Sequence, residues 1–166
     1  MKTSKNMMSH GFGENFQGAS FASPLTALQL IVLLDTNVIM DALQERSPFD
    51  IPAKEILMQG QSGKLTCLFT ANAATDIFYL YSKARDINAA NAALDFLLKV
   101  YKVVSITHED CIAALALPIA DFEDALAAVC AKKAGADFII TRDEKFLAET
   151  SPVKTMSPSE FVRTSI

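Results

Sequence analysis

Four aspartates stand where an acidic side chain needs a reason. Asp35 directly follows the apolar run Ile31-Val32-Leu33-Leu34, and Asp143 follows Phe138-Ile139-Ile140-Thr141-Arg142. Asp76 is the only charge between Lys64 and Lys83. On a helix it shares a face with Ala73 and Leu80, at spacings of three and four. A charge on an apolar stripe is costly unless a partner neutralises it. Asp124 lies in Asp121-Phe122-Glu123-Asp124-Ala125-Leu126, one helical turn beyond Asp121, so these two face one site while Glu123 points elsewhere. Carboxylates gathered in one pocket repel one another by roughly several kcal/mol, so either some are protonated or a cation is bound. The cation is the simpler answer. All-oxygen ligation suits Mg²⁺ or Mn²⁺, whereas zinc is disfavoured because His10 and His108 are far apart and no Cys/His pair has ligand spacing. By themselves these residues point to metal-dependent phosphate chemistry. Plainer roles compete with this one. Asp35 and Asp143 each precede a helical stretch and suit an N-cap, and acids such as Asp121 and Glu123 are favoured at a helix start by its dipole. Asp76 paired with a buried basic or hydroxyl group is the alternative there.

These residues need a scaffold, and the chain supplies one from Ile31 onward. Short β-rich apolar runs over 31–34, 65–69, 102–105, 138–140 and 153–155 alternate with amphipathic stretches over 36–44, 52–62, 71–84, 88–98, 108–116, 122–134 and 158–162. Such alternation predicts a parallel sheet of about five strands with helices on its faces. Ligands bind beyond the carboxyl ends of strands in open sheets of this kind, which is where Asp35 and Asp143 stand. Several helix ends are marked. Thr107 with Asp110 reads as a capping box, Ser157-Pro158-Ser159-Glu160 as a helix start, and Gly135 as a stop. Residues 1–29, rich in Met, Ser, Gly, Asn and Phe, lack periodicity and read as a poorly ordered extension, leaving residues 30–166 as one domain.

Bulk properties narrow the class. With 51% hydrophobic residues the chain fills a core, and no apolar run reaches the roughly 18 to 20 residues that span a bilayer. Cys67, Cys111 and Cys130 are odd in number and sit in apolar stretches, which predicts reduced buried thiols and a cytoplasmic protein. The net charge of −4 argues mildly against nucleic-acid binding. Acids clustered around bound cations answer that objection, because the remaining surface is then close to neutral.

Taken together, Leu33-Leu34-Asp35-Thr36-Asn37-Val38-Ile39-Met40-Asp41, Thr75-Asp76-Ile77-Phe78-Tyr79-Leu80, Asp121-Phe122-Glu123-Asp124-Ala125-Leu126 and Ile139-Ile140-Thr141-Arg142-Asp143 resemble the successive motifs of PIN domains. The resemblance covers residues 31 to about 164. It implies a three-layer α/β/α fold and a metal-dependent endoribonuclease that hydrolyses phosphodiester bonds by metal-activated water, with one or two Mg²⁺ or Mn²⁺ ions. The bacterial toxins of VapC type are the best-known small members. By motif, Asp35, Asp76, Asp124 and Asp143 form the acidic quartet, Asp121 is an accessory ligand, and Asn37 and Thr141 are polar supports. One departure concerns the second acid, commonly Glu in the toxin branch and Asp76 here, one methylene shorter. The resemblance also implies an RNA substrate, a homodimer and, for a toxin, an antitoxin protein that fills the acidic cleft. Arg46, Lys83, Arg85, Arg142 and Lys145, near the ends of motif-bearing segments, are candidates for phosphate contacts, although charges at helix ends are mostly solvated. The alternative is a weak or inactive PIN-like module that binds RNA or a protein partner.

Overall fold

A computed structural model describes residues 29–164, so nearly all of the extension expected over 1–29 lies outside the described residues. Five strands form one parallel sheet: β1 (Ile31–Leu34), β2 (Thr66–Thr70), β3 (Lys102–Val104), β4 (Phe138–Ile140) and β5 (Lys154–Met156), in the order β3-β2-β1-β4-β5. β1 sits at the centre because Val32, Leu33 and Leu34 are all buried, as an apolar run covered on both faces must be. Its side chains alternate between two cores. Val32 and Leu34 join Cys67, Phe69 and Ile140 on one face, and Leu33 joins Leu68 and Ile139 on the other.

Helices cover both faces, which gives the expected three-layer arrangement. The first face carries residues of α1 (Thr36–Gln44), α2 (Asp50–Gln61), α3 (Ala71–Ala84), α4 (Ile87–Val100) and α8 (Pro158–Thr164). The second carries residues of α5 (His108–Leu115), α6 (Phe122–Lys133) and α7 (Glu144–Ala148). The helix ends follow local chemistry. Thr107 and Asp110 form the capping box before α5. Gly135, at φ 68°, closes α6 in a Schellman motif: its N–H donates to Lys132 O at 3.1 Å, and the Ala136 N–H donates to Ala131 O at 2.9 Å. α2 starts at Asp50, two residues earlier than expected, because a proline at position 52 falls in the first turn, where the N–H it lacks has no helical acceptor. β2 and β5 each run one residue later than expected. The five-residue helix α7 is an addition, too short to show periodicity in the sequence.

The topology places the site. From β1 the chain winds outward through β2 to β3, then returns to lay β4 on the opposite side of β1. Leu34 pairs with Ile140, and the Asp35 N–H donates to Ile140 O at 3.0 Å, so the two junctions β1–α1 and β4–α7 lie side by side. This is a switch point of the sheet, where a crevice opens beyond the strand ends. Cys67, Cys111 and Cys130 are all free thiols, with Cys67 and Cys130 buried. No helix among the described residues is long and apolar enough to cross a membrane.

Candidate active site

The crevice is a cavity of about 360 Å³ whose walls include Asp35, Asn37, Asp76, Asp121, Glu123, Asp124 and Asp143. Asp35 occupies the N-cap position of α1 but makes no capping hydrogen bond. Its Oδ2 instead accepts from the Thr141 hydroxyl at 2.6 Å and from Asn37 Nδ2. Thr141 is fully buried, and its oxygen also accepts the Asp143 N–H at 3.0 Å and Asn37 Nδ2 at 3.2 Å. Asn37 completes the link by accepting the Arg142 N–H at 3.2 Å. One threonine and one asparagine therefore tie the two strand ends together around a single carboxylate. Burial pushes the Asp35 carboxyl above its ordinary value, opposed by the hydrogen bond from Thr141 and assisted by the charge of Asp143.

The other acids arrive from three elements. Asp143 Oδ1 caps α7, accepting from Lys145 N at 2.8 Å and Phe146 N at 3.2 Å. Asp121 Oδ1 caps α6, accepting from Glu123 N at 2.8 Å and Asp124 N at 3.4 Å. Capping and pocket-lining thus coexist in both residues, because a carboxylate has a second oxygen. Asp76 lines the cavity from the middle of α3; its helical neighbours Ala73 and Ile77 are buried, while Leu80, 40% exposed, lies at the cavity wall rather than in the core. Asp124, one turn into α6, is pushed up to about 7 by burial and by the charges of Asp35, Asp121, Asp143 and Glu123.

Glu123 corrects the sequence reading, which turned it away from the site. It lines the same cavity, and burial together with the charges of Asp76, Asp35 and Asp121 raises its pKa. The exposed side of α6 faces the crevice across more than one helical row, so the strict spacing rule that separated Glu123 from Asp124 was too narrow.

The basic candidates separate. Arg46 lines the acidic cavity. Arg142 lies with its Nε 2.6 Å from Asp41 Oδ2 and its Cζ 4.8 Å from the Phe49 ring centroid. Lys145 lines an adjoining cavity of about 540 Å³ together with Asn37, Phe49, Arg142, Asp143 and Glu144. Lys83 stands 5.6 Å from the centroid of the Tyr79 ring, and Tyr79 lines the acidic cavity. Arg85 ends α3 and is not among the residues lining the acidic cavity.

Asp41 is the residue that sequence reasoning missed. It is fully buried on α1, one turn beyond Asn37, with Arg46 Nη1 3.6 Å from its Oδ1 and Arg142 on its Oδ2. Neither carboxylate oxygen accepts a well-aligned hydrogen bond, so the attraction is mainly coulombic. The sequence held only part of the signal, an acid four residues after Asn37 on a helix with Arg46 following, and nothing in it marked Arg142 as a partner.

The acids line the walls of the crevice rather than meet at a point, and among the described residues no three His, Cys, Asp or Glu side chains stand close enough together to hold a metal ion. The donor set nevertheless fits a hard cation. It is all oxygen, and three of its members are held above their ordinary values by burial and mutual repulsion, a strain that a divalent charge relieves. A larger cavity of about 960 Å³ runs along α2, but there Lys54 is engaged by Glu45 and Asp50. No such gathering of acids lines it.

Comparison with known proteins agrees with this fold. No curated protein matches by sequence. Among solved structures, the fold is similar to Mycobacterium tuberculosis VapC20, a toxin that cleaves the sarcin-ricin loop, with a TM-score of 0.59 and 18% identity over 73% of this chain and 99% of that one. It is similar as well to VapBC from Salmonella typhimurium bound to DNA, with a TM-score of 0.58 and 15% identity over 78% and 98% of the two chains. VapBC2 from Rickettsia felis, bound to a DNA fragment from its promoter, gives a TM-score of 0.56 and 16% identity over 77% and 98%. The profile of the PIN domain matches residues 31–145, which carry every acid of the crevice, and the chain therefore belongs to the PIN-domain family, a family of nuclease-type enzymes.

Proposed function

We propose that this protein is a cytoplasmic endoribonuclease that hydrolyses RNA phosphodiester bonds with the help of one or two Mg²⁺ or Mn²⁺ ions. The observation that carries the reading is the set of carboxylates lining one crevice at the switch point, with Asp35 buried and held by Thr141 and Asn37. Asp35, Asp124 and Asp143 would hold the ion directly, with Asp76, Asp121 and Glu123 completing the acidic wall. When bound, a divalent ion activates water for attack on phosphorus and offsets charge on the phosphate oxygens.

The chain's own residues set the geometry. Thr141 and Asn37 fix Asp35 Oδ2, so the buried carboxylate needs no reorganisation as charge develops. The raised pKa of Asp124 reflects burial and the repulsion of its acidic neighbours, which a bound cation would offset. Arg46 supplies positive charge beside the acids lining the cavity and can attract a phosphate there. The likeness to VapC and VapBC structures supports a toxin role and a protein antitoxin; we further propose that this protein is a homodimer and that a basic side chain of the antitoxin enters the acidic crevice.

The test is cleavage of labelled single-stranded RNA in Mn²⁺. Activity is expected in the wild type, absent in EDTA, and reduced at least about 100-fold in Asp35→Asn and Asp124→Asn. Cleavage unaffected by both substitutions would remove the site assignment, and no cleavage by the folded wild type would favour the inactive binding module.

A further inference from the structure

Two exposed aromatic rings flank the acids, and each carries a cation. Tyr79, on the acidic cavity wall, is 60% exposed with Lys83 Nζ 5.6 Å from its ring centroid. Phe49, in the adjoining cavity of about 540 Å³, is 45% exposed with Arg142 Cζ 4.8 Å from its centroid. Asn37 and Asp143 wall both cavities, so a path from one ring to the other crosses the acidic residues.

We infer that Tyr79 and Phe49 are base-stacking platforms for an unpaired RNA strand, one on each side of the phosphate held at the acids, with Lys83 on one side and Arg142 and Lys145 on the other taking the neighbouring phosphates. The inference rests on the ribonuclease reading and names how that site grips its substrate. Charge makes the flanking cations necessary. A chain of net charge −4 with acids in its crevice repels a polyanion, and only local positive groups beside the site offset this. The Arg142 guanidinium is well prepared for the task. Buried Asp41 lies 2.6 Å from its Nε and the Phe49 ring centroid 4.8 Å from its Cζ, which holds the guanidinium at the wall of the adjoining cavity. Stacking requires an unpaired strand, because in a duplex both faces of each base are covered by neighbours.

The experiment is fluorescence anisotropy of a labelled 12-nucleotide RNA in Ca²⁺, which occupies the acidic crevice in place of Mg²⁺ or Mn²⁺, with binding read before turnover. Tyr79→Ala and Phe49→Ala should each weaken binding about 5- to 150-fold, the ~1–3 kcal/mol of one stacked base at 1.4 kcal/mol per tenfold. Tyr79→Phe should bind as wild type, as should Leu115→Ala, an exposed apolar residue on α5. Lys83→Met should flatten the dependence of log affinity on log salt by about 0.7. Folded Ala variants that bind like wild type would overturn the inference, as would equal losses on duplex RNA. The two readings fail separately. A wild type that binds as described but never cleaves leaves the platforms standing without the nuclease, whereas a wild type that cleaves while both Ala variants bind unchanged keeps the nuclease and removes the platforms.

Discussion

Replacing Asp124 with asparagine should stabilise the metal-free protein at pH 8. Asp124 sits beside Asp35, Asp121, Asp143 and Glu123, and burial plus these charges raise its pKa from 3.8 to about 7. The folded chain therefore holds this proton more tightly than the unfolded chain. Stability is fully present below the unfolded value, falls as pH rises from about 4 to 7, and is lowest above that window. A shift of about 3 units corresponds to a ceiling of about 4 kcal/mol. Because the side chain is only half-buried, solvent screening reduces this to about 1–2 kcal/mol. The amide of the Asp124→Asn variant cannot ionise and escapes the penalty, so its melting temperature at pH 8 in EDTA should exceed that of the wild type by about 2–8 °C. At pH 4, where Asp124 is protonated in the folded wild type and roughly half so in the unfolded chain, the difference should shrink to a small fraction of that at pH 8. Added Mg²⁺ should reverse the order at pH 8, since an ion bound by the folded state stabilises the wild type in proportion to its affinity. Thermal melts followed by circular dichroism at both pH values, with and without Mg²⁺, make the measurement. A variant no more stable than wild type in EDTA at pH 8 would show that the acids do not repel one another as the geometry requires.

Two further predictions concern the supports. Thr141→Val removes the hydroxyl that donates to Asp35 and accepts from the Asp143 N–H, and it should cost about 1–3 kcal/mol in chemical denaturation and lower RNA cleavage. Unchanged stability would mean that water replaces the hydroxyl without loss. Asp41→Asn leaves Arg46 and Arg142 without their buried counter-charge and should destabilise by about 1–3 kcal/mol, below the loss typical of a buried pair because both arginines are partly exposed. The same variant should raise KM more than it lowers kcat, since Asp41 positions a phosphate-binding arginine and touches no reacting atom. An equal fall in kcat with KM unchanged would place Asp41 in the chemistry instead.

The layered parallel sheet was legible because its evidence is local and periodic. Ile31–Leu34 and Phe138–Ile140 are continuous apolar runs, and helices such as Ala71–Ala84 repeat their apolar positions at helical spacing. Asp35 and Asp143 stood out for the same reason, each an acid at the end of such a run. Asp76 was conspicuous as a charge among apolar neighbours, and the structure places it in the crevice. Glu123 and Asp41 were not legible. Whether Glu123 faces solvent or the crevice depends on what packs beside α6, and Asp41 looks like an ordinary helical acid until Arg142, about 100 residues away in sequence, is brought onto it.

Residue type and spacing within single segments were enough to predict the five strands and every helix except α7 and to mark the strand-end acids, and four such segments in order carried the family resemblance. Three features needed the assembled fold: Asp35 forgoes capping for Thr141 and Asn37, Asp143 and Asp121 cap and line the crevice at once, and Arg142 is held by Asp41 and Phe49. Each is a hydrogen bond, an ion pair or a packing contact, and these depend on which groups meet across the sheet. That is fixed when β4 lies down beside β1, a pairing of distant segments that no local pattern records.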